Sequence, residues 1–217
     1  MFQDRVEAGQ RLAAALSRYA DCPGGLVLAI PRGGVVVGLQ LSLGLRLPLD
    51  VLITRKIGAP GNPELAVAAL AETGFLHLNQ DLLALYPALG GAVYEQRPLV
   101  AEEIARRRTL YRGGRELPDL EGRTVLVVDD GVATGSTFLA SVEALRAARV
   151  SRLVAALPVA PQETVGKIAS RVDDCVVLEA PHPFDAVGQH YLDFRQVDDE
   201  EVIHCLEKSR LPHASPP

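Results

Sequence analysis

Two adjacent carboxylates and a run of hydroxyl side chains stand near the middle of this 217-residue sequence. Asp129 and Asp130 follow the apolar run Val125–Val128 and precede a predicted helix. Small residues lead into that helix: Ala133, Thr134, Gly135, Ser136 and Thr137. Backbone N–H groups at a helix N-terminus bind phosphate. Because carboxylates repel phosphate, the two acids should face something else, such as ribose hydroxyls or a bridging Mg²⁺ ion. Alternatively, acids and hydroxyls only cap the helix.

Two cationic segments follow other apolar runs. Arg32, Gly33 and Gly34 come after Leu26–Ile30, so their amides and the guanidinium can meet a second anion. A simple tight turn is the alternative. Arg55 and Lys56 come after the run 49–53, where two cations could neutralise an anion, or could form a solvated pair.

A third cationic run, Arg106–Arg108, is accompanied by Arg112 and Arg115 in a predicted helix over 94–111. Glu102 and Glu103 lie one turn earlier, at the spacing of ion pairs on an exposed helix. The sequence therefore favours a solvated helix face over a phosphate contact.

Apolar runs and amphipathic stretches alternate along the chain, and this order places the polar segments. Strands are predicted at 26–30, 49–53, 124–128, 152–158 and 175–179, and helices at 2–19, 35–45, 136–148 and 161–170. Such alternation predicts an α/β fold with a central parallel sheet flanked by helices. Ligands of these sheets bind beyond the carboxyl ends of the strands, where the polar segments lie.

Regular alternation lapses between the second and third of these strands. We predict a single domain over 1–210 with a flexible insertion at 55–121, in which Gly58–Pro63 is a cluster of breakers and 65–71 and 75–79 are strands. The tail 211–217 is predicted to be disordered.

Composition excludes several classes of protein. A net charge of -5 disfavours nucleic-acid binding, and no apolar run reaches the roughly 18 residues of a membrane span. The three cysteines lack metal-ligand or disulfide spacing, which indicates reduced thiols and a cytoplasmic location.

The string Val125–Thr137 resembles the 5-phosphoribosyl-1-pyrophosphate (PRPP) signature of the type I phosphoribosyltransferases. The resemblance implies that Asp129 and Asp130 hold the ribose hydroxyls, and through them Mg²⁺, while 133–137 bind the 5′-phosphate. Arg32, Gly33 and Gly34 resemble the pyrophosphate loop of the family, in which a non-proline cis peptide is common. Arg55 and Lys56 look like the start of its mobile catalytic loop, which implies that the two cations neutralise pyrophosphate as it leaves. No Gly-Lys-Ser/Thr of a Walker A loop occurs here.

The segment 180–198 resembles the hood that covers the purine in hypoxanthine-guanine phosphoribosyltransferases, with Phe184, Val187 and Asp193 as counterparts of its aromatic residue, its Val-Gly pair and its aspartate. The match is imperfect, because one residue is inserted between Gly188 and Asp193 and the aromatic residue lies one position further from Val-Gly. Ala133 stands where that subgroup has an aspartate that acts on the purine, so 6-oxopurine acceptors are in doubt. His182 and His190 could move a proton instead, although a loop histidine is more often a surface residue.

Over residues 3 to 208 the chain resembles an uncharacterised bacterial group of the same family. The resemblance implies a Mg²⁺-dependent transfer of the phosphoribosyl group from PRPP to an unidentified nitrogen acceptor, by a homodimer with neither nucleic-acid nor membrane partners. A sensor that binds PRPP without turnover is the alternative.

Overall fold

The computed structural model describes residues 1–210, leaving aside the side chains of residues 63 and 64. The tail 211–217, for which the sequence predicts disorder, lies outside the described residues. The strands are β1 Gly25–Ala29, β2 Leu49–Val51, β3 Thr54–Ala59, β4 Asn62–Ala71, β5 Leu76–Leu78, β6 Thr124–Val128, β7 Arg152–Val159 and β8 Asp174–Glu179. The helices are α1 Arg5–Ala15, α2 Gly33–Leu45, α3 Gln80–Leu85, α4 Leu89–Arg112, α5 Ser136–Ala147, α6 Gln162–Ala169 and α7 Asp199–Arg210.

A five-stranded parallel sheet forms the centre of the fold, in the order β2-β1-β6-β7-β8. Alternate residues of its strands face opposite layers, as the two-residue period of a strand requires. Leu126 and Val128 pack in the core with α1, α2 and α7, whereas Val125 and Val127 pack with α5 and α6. The predicted fold class, a parallel sheet flanked by helices, is confirmed.

A second, antiparallel sheet of β3, β4 and β5 lies within the insertion. The sequence prediction was wrong about the breaker cluster 58–63, because β3 continues to Ala59 and pairs with Asn62 across a tight turn. Pro60 and Gly61, whose φ is 76°, are the central residues that a type II turn prefers, so they reverse the chain without ending the strands. The sheet packs on α4 and α5, and the Ser141 hydroxyl of α5 donates to Thr54 Oγ1 over 2.9 Å.

The first helix is shorter than the predicted 2–19. Asp4 caps α1 by accepting a hydrogen bond from the Glu7 backbone, so the helix begins at Arg5. Phe2 is left to form a parallel β-bridge with Tyr191, with Phe2 N donating to His190 O over 2.8 Å. This bridge fixes the segment 180–198 across the carboxyl edge of the sheet.

None of the helices in residues 1–210 has the length and apolar character needed to cross a bilayer. All three cysteines are free thiols.

Candidate functional site

The turn after β1 and the turn after β6 are in direct contact at the carboxyl edge of the sheet. A Cβ atom added to Gly33 would lie 1.9 Å from Asp130 Oδ2, and one added to Gly34 would lie 2.9 Å from Asp129 Cα. Both glycines are therefore required by close packing of the two turns. The structure brings together the two anion-binding segments that the sequence predicted separately.

The turn from Gly131 to Thr137 presents its polar groups outward. Gly135, with φ of 85°, is the N-cap of α5, and no side chain caps that helix. The Ala133 carbonyl accepts from Thr164 Oγ1 over 2.7 Å, which holds the turn against α6. Within the described part of the chain, the hydroxyls of Thr134, Ser136 and Thr137 make no hydrogen bond. The N-terminal amides of α5 and these three hydroxyls are thus available to an anion.

Asp129 and Asp130 form a tightly packed acidic pair. The backbone N–H of Asp130 donates to Asp129 Oδ1 over 2.8 Å. Burial, and next the charge of Asp130, raises the pKa of Asp129. Burial also raises the pKa of Asp130, an effect that the guanidinium of Arg5 opposes.

Arg5 is a site residue that sequence reasoning missed. Its Nε donates to Asp130 Oδ2 over 2.7 Å, and both side chains are at most 15% exposed. The same guanidinium donates to the Arg195 carbonyl and lies 3.9 Å from the centroid of the Phe194 ring. Arg5 therefore ties α1, the acidic pair and the C-terminal segment together. In the sequence it is one charge of an amphipathic helix, 125 residues from its partner.

The turn after β1 has the expected backbone form, with a cis peptide between Pro31 and Arg32. Arg32 is the N-cap of α2, and no side chain caps this helix either. The Arg32 Nη1 atom lies 3.9 Å from Asp199 Oδ1, at the start of α7. Asp199 was not predicted from the sequence, which left α7 unassigned.

Arg55 and Lys56 lie in β3 rather than in a loop, so their side chains point to opposite faces of the sheet. Arg55 shares its face with Ile57, which packs against Val93 of α4. Burial, and next the charge of Arg107, lowers the pKa of Arg55. Lys56 shares its face with Thr54, next to α5. The structure does not bring these two cations to one point.

The segment 180–198, predicted to be a hood, lies over the turn after β6. Its three predicted residues, Phe184, Val187 and Asp193, have different surroundings. Val187 packs on the turn, since a Cβ on Gly131 would lie 2.4 Å from Val187 Cγ1. Phe184 stacks on His190 with centroids 4.9 Å apart. The His190 Nε2 atom is buried without a hydrogen-bond partner among the described residues. Asp193 lies apart from these rings, beside Arg5 and Arg195.

The arginine run of α4 is mostly paired, as the sequence favoured. Arg106 and Arg107 contact Glu103 over 2.7 and 2.8 Å, and Arg108 contacts Glu116 over 2.9 Å. The prediction of a solvated face is wrong for Arg112, because its side chain is only 1% exposed. It pairs with Asp50 and Glu72, so it joins α4 to β2 and to the end of β4.

Oxygen ligands suit Mg²⁺, and the acidic pair offers carboxylates beside the two turns that the sequence predicts to bind anions. No group of three or more His, Cys, Asp or Glu side chains within residues 1–210 is placed to hold a metal alone. The pair fits an ion that takes its other ligands from a bound substrate. A cleft of about 650 Å³, which Thr134 and Ser136 help to line, opens between β5, α5 and α6.

Comparisons with known proteins agree with this geometry. The family model described as phosphoribosyl transferase domain matches residues 3–193. Two curated proteins of Mycobacterium tuberculosis, strains CDC 1551 and H37Rv, bear provisional phosphoribosyl transferase names and are 40% identical over 217 residues, 99% of this chain. The chain spans about half the length of these relatives, 48% in each case.

A solved structure with similar architecture is TT1426 from Thermus thermophilus. The two chains are 38% identical and superpose with a TM-score of 0.79 over 95% of this chain and 98% of the other.

Proposed function

Since the chain belongs to the phosphoribosyl transferase domain family, we propose that it moves the 5-phosphoribosyl group of PRPP to a nitrogen acceptor and releases pyrophosphate. The acceptor we propose is a nucleobase-like ring. The relatives that carry the family name are twice as long, so this proposal concerns the domain.

Contact between the turn after β1 and the turn after β6 is the observation that carries the proposal. PRPP has anions at both ends of a ribose, and the two turns offer two uncapped helix N-termini with the acidic pair between them. The sugar hydroxyls would donate hydrogen bonds to the carboxylates of Asp129 and Asp130. The 5′-phosphate would take the amides and hydroxyls of 133–137, and the pyrophosphate the turn of Arg32.

Catalysis by this site rests on position and charge. The C1–oxygen bond to pyrophosphate breaks through a loose transition state, in which positive charge develops on the ribose ring. The buried carboxylates next to the ring favour that charge, and Arg32 and Arg55 favour the leaving pyrophosphate. Val187 and Phe194, packed over the same edge, limit the access of water.

Mg²⁺, when bound, would offset the charge of the pyrophosphate as it leaves. Asp129 and Asp130 are the residues that would hold it, by way of the ribose hydroxyls.

The test is release of pyrophosphate from PRPP and Mg²⁺ across a panel of purines, pyrimidines and related bases. We expect turnover with at least one ring nitrogen, and no turnover in the double variant Asp129→Asn/Asp130→Asn. Calorimetry should show that this variant also loses most of its PRPP affinity, because neutral amides give up two charge-assisted hydrogen bonds of about 1.5–3 kcal/mol each. Unchanged affinity would refute the assignment of the acidic pair.

A PRPP sensor is the second candidate, and the acceptor side favours it. Ala133 supplies no carboxylate, and the His190 nitrogen that could move a proton is buried beside Phe184. Tight PRPP binding by the wild-type chain, without turnover on any base of the panel, would establish the sensor.

A further inference from the structure

Arg32 is held near an anion of its own chain without a hydrogen bond to it. Its Nη1 atom lies 3.9 Å from Asp199 Oδ1, beyond hydrogen-bond distance, while the two side chains are 32% and 30% exposed. Asp199 attracts the guanidinium at this distance, yet the N–H donors of Arg32 are not used up by the carboxylate.

The Tyr111 hydroxyl keeps Asp199 in place. It donates to Asp199 Oδ1, the same oxygen that faces Arg32, over 2.6 Å. Tyr111 is 4% exposed within the core that joins α4 to α7, so its hydroxyl is fixed by packing. Burial, and next the hydrogen bond to Asp199, raises the pKa of Tyr111 to about 12, which keeps the hydroxyl protonated at neutral pH.

Acidic neighbours flank Asp199 at positions 198, 200 and 201, whereas the charges that act on this contact from other elements are mainly those of arginines. Arg107, one turn before Tyr111, is 13% exposed and pairs with Glu103. The charge of Arg32 acts on Tyr111 as well, and that of Arg107 acts on both Tyr111 and Arg55. A freed Asp199 carboxylate would therefore be drawn toward guanidinium groups, with Arg32 already 3.9 Å away.

We propose that Tyr111 is a positioning residue, which restrains Asp199 so that the donors of Arg32 stay available to the pyrophosphate group. Without the hydroxyl, Asp199 closes to the roughly 2.8 Å of a charge-assisted hydrogen bond and competes with pyrophosphate for Arg32. This inference rests on the proposed function, because it assigns the anion at Arg32.

Calorimetric binding of Mg-pyrophosphate and of ribose 5-phosphate to the full chain tests the proposal. Tyr111→Phe should raise the dissociation constant for pyrophosphate by about two- to tenfold, the effect of one hydrogen bond. Affinity for ribose 5-phosphate, which has no group at Arg32, should stay at the wild-type value. Asp199→Asn keeps an acceptor for Tyr111 but removes the competing charge, so its pyrophosphate affinity should be no weaker than wild type.

The double variant distinguishes loss of the restraint on Asp199 from a general disturbance of the site by the Tyr111→Phe substitution. If Tyr111 acts through Asp199, Tyr111→Phe/Asp199→Asn should bind pyrophosphate as tightly as Asp199→Asn alone. Glu200→Gln, which removes an exposed acid from the same helical turn, shows the size of a nonspecific charge effect.

Three results would overturn the inference. The first is an unchanged pyrophosphate affinity in Tyr111→Phe, and the second is that Tyr111→Phe weakens pyrophosphate binding equally in the wild-type chain and in Asp199→Asn. The third is that Tyr111→Phe weakens ribose 5-phosphate binding as much as pyrophosphate binding. Each leaves the proposed function intact provided that the wild-type chain binds PRPP. A wild-type chain that binds neither PRPP nor ribose 5-phosphate would overturn the proposed function and this inference together.

Discussion

Single residues at the sheet edge have little freedom to change, and Gly33 shows this most directly. We expect Gly33→Ala to weaken PRPP binding by about tenfold or more, because moving the Asp130 carboxylate away from a new Cβ costs about 1–3 kcal/mol. Titration calorimetry with PRPP measures the change.

Gly166→Ala is the matched control. Gly166 lies within α6 with nothing within 4 Å of an added Cβ, so the variant should bind PRPP normally and gain about 0.5–1 kcal/mol of stability. Wild-type PRPP affinity in Gly33→Ala would show that the two turns are not packed as described.

Local sequence was sufficient to locate Asp129, Asp130 and the glycines of both turns at the ends of β6 and β1, because strand, turn and helix follow each other there without interruption. Their roles in binding stay predictions. It was insufficient for Arg5 and Asp199. Arg5 precedes its partner Asp130 by 125 positions. The proposed role of Asp199 depends on the 3.9 Å between its Oδ1 atom and Arg32 Nη1, which no local pattern indicates. Only the packing of α1 and α7 against the sheet makes these contacts, and neither helix differs by pattern from an ordinary amphipathic helix.

At the scale of elements, hydrophobic pattern was sufficient for the five parallel strands and for five helices, including the one predicted over 94–111. It also predicted the strands 65–71 and 75–79 of the insertion, which are β4 and β5, but it missed β3 and α3. The sequence predicts a break at Gly58, Pro60 and Gly61, yet a hairpin uses such residues within and beside its turn. Arg112 is also predicted as one more exposed arginine of α4, and its burial depends on Asp50 of β2 and on Glu72, which follows β4. The hairpin error is local in sequence, whereas the Arg112 error concerns partners that are distant in sequence.

Ionised Glu103 on α4 should contribute to the free energy of unfolding, and this contribution should be lost at acidic pH. Hydrogen bonds from Arg106, together with Arg107, lower the pKa of Glu103 to about 2. The ionised form is therefore favoured in the folded chain, and its stabilisation is complete above the unfolded pKa of about 4.3 and lost as the pH falls toward about 2.

Urea unfolding at several pH values checks this prediction. Glu103→Gln should lose stability at pH 7 and show a shallower decline than wild type between about pH 5 and about pH 2. Glu102→Gln, at the neighbouring exposed position, should follow the wild-type curve. Parallel curves for Glu103→Gln and wild type would contradict the shift.

For the whole molecule, the Arg5–Asp130 pair connects the N-terminal helix, the sheet edge and the C-terminal segment. Arg5→Gln should lower the free energy of unfolding by about 3–5 kcal/mol, because it leaves a buried carboxylate beside another. Arg11→Gln, on the same helix but 44% exposed, should cost under about 1 kcal/mol. Denaturant unfolding of both variants measures the difference. Similar losses in the free energy of unfolding would show that the Arg5–Asp130 pair stabilises the fold no more than an exposed arginine does. The homodimer stays a prediction.

The bridge between Phe2 and Tyr191 has a consequence for divergence within the family. Phe2, Gln3 and Arg5 form hydrogen bonds with the segment 180–198, which is predicted to cover the acceptor. A lineage that acquires a new acceptor by reshaping 180–198 must also keep this pairing. We therefore expect aligned relatives to vary at the two ends of the domain together, while the sheet between them changes more slowly.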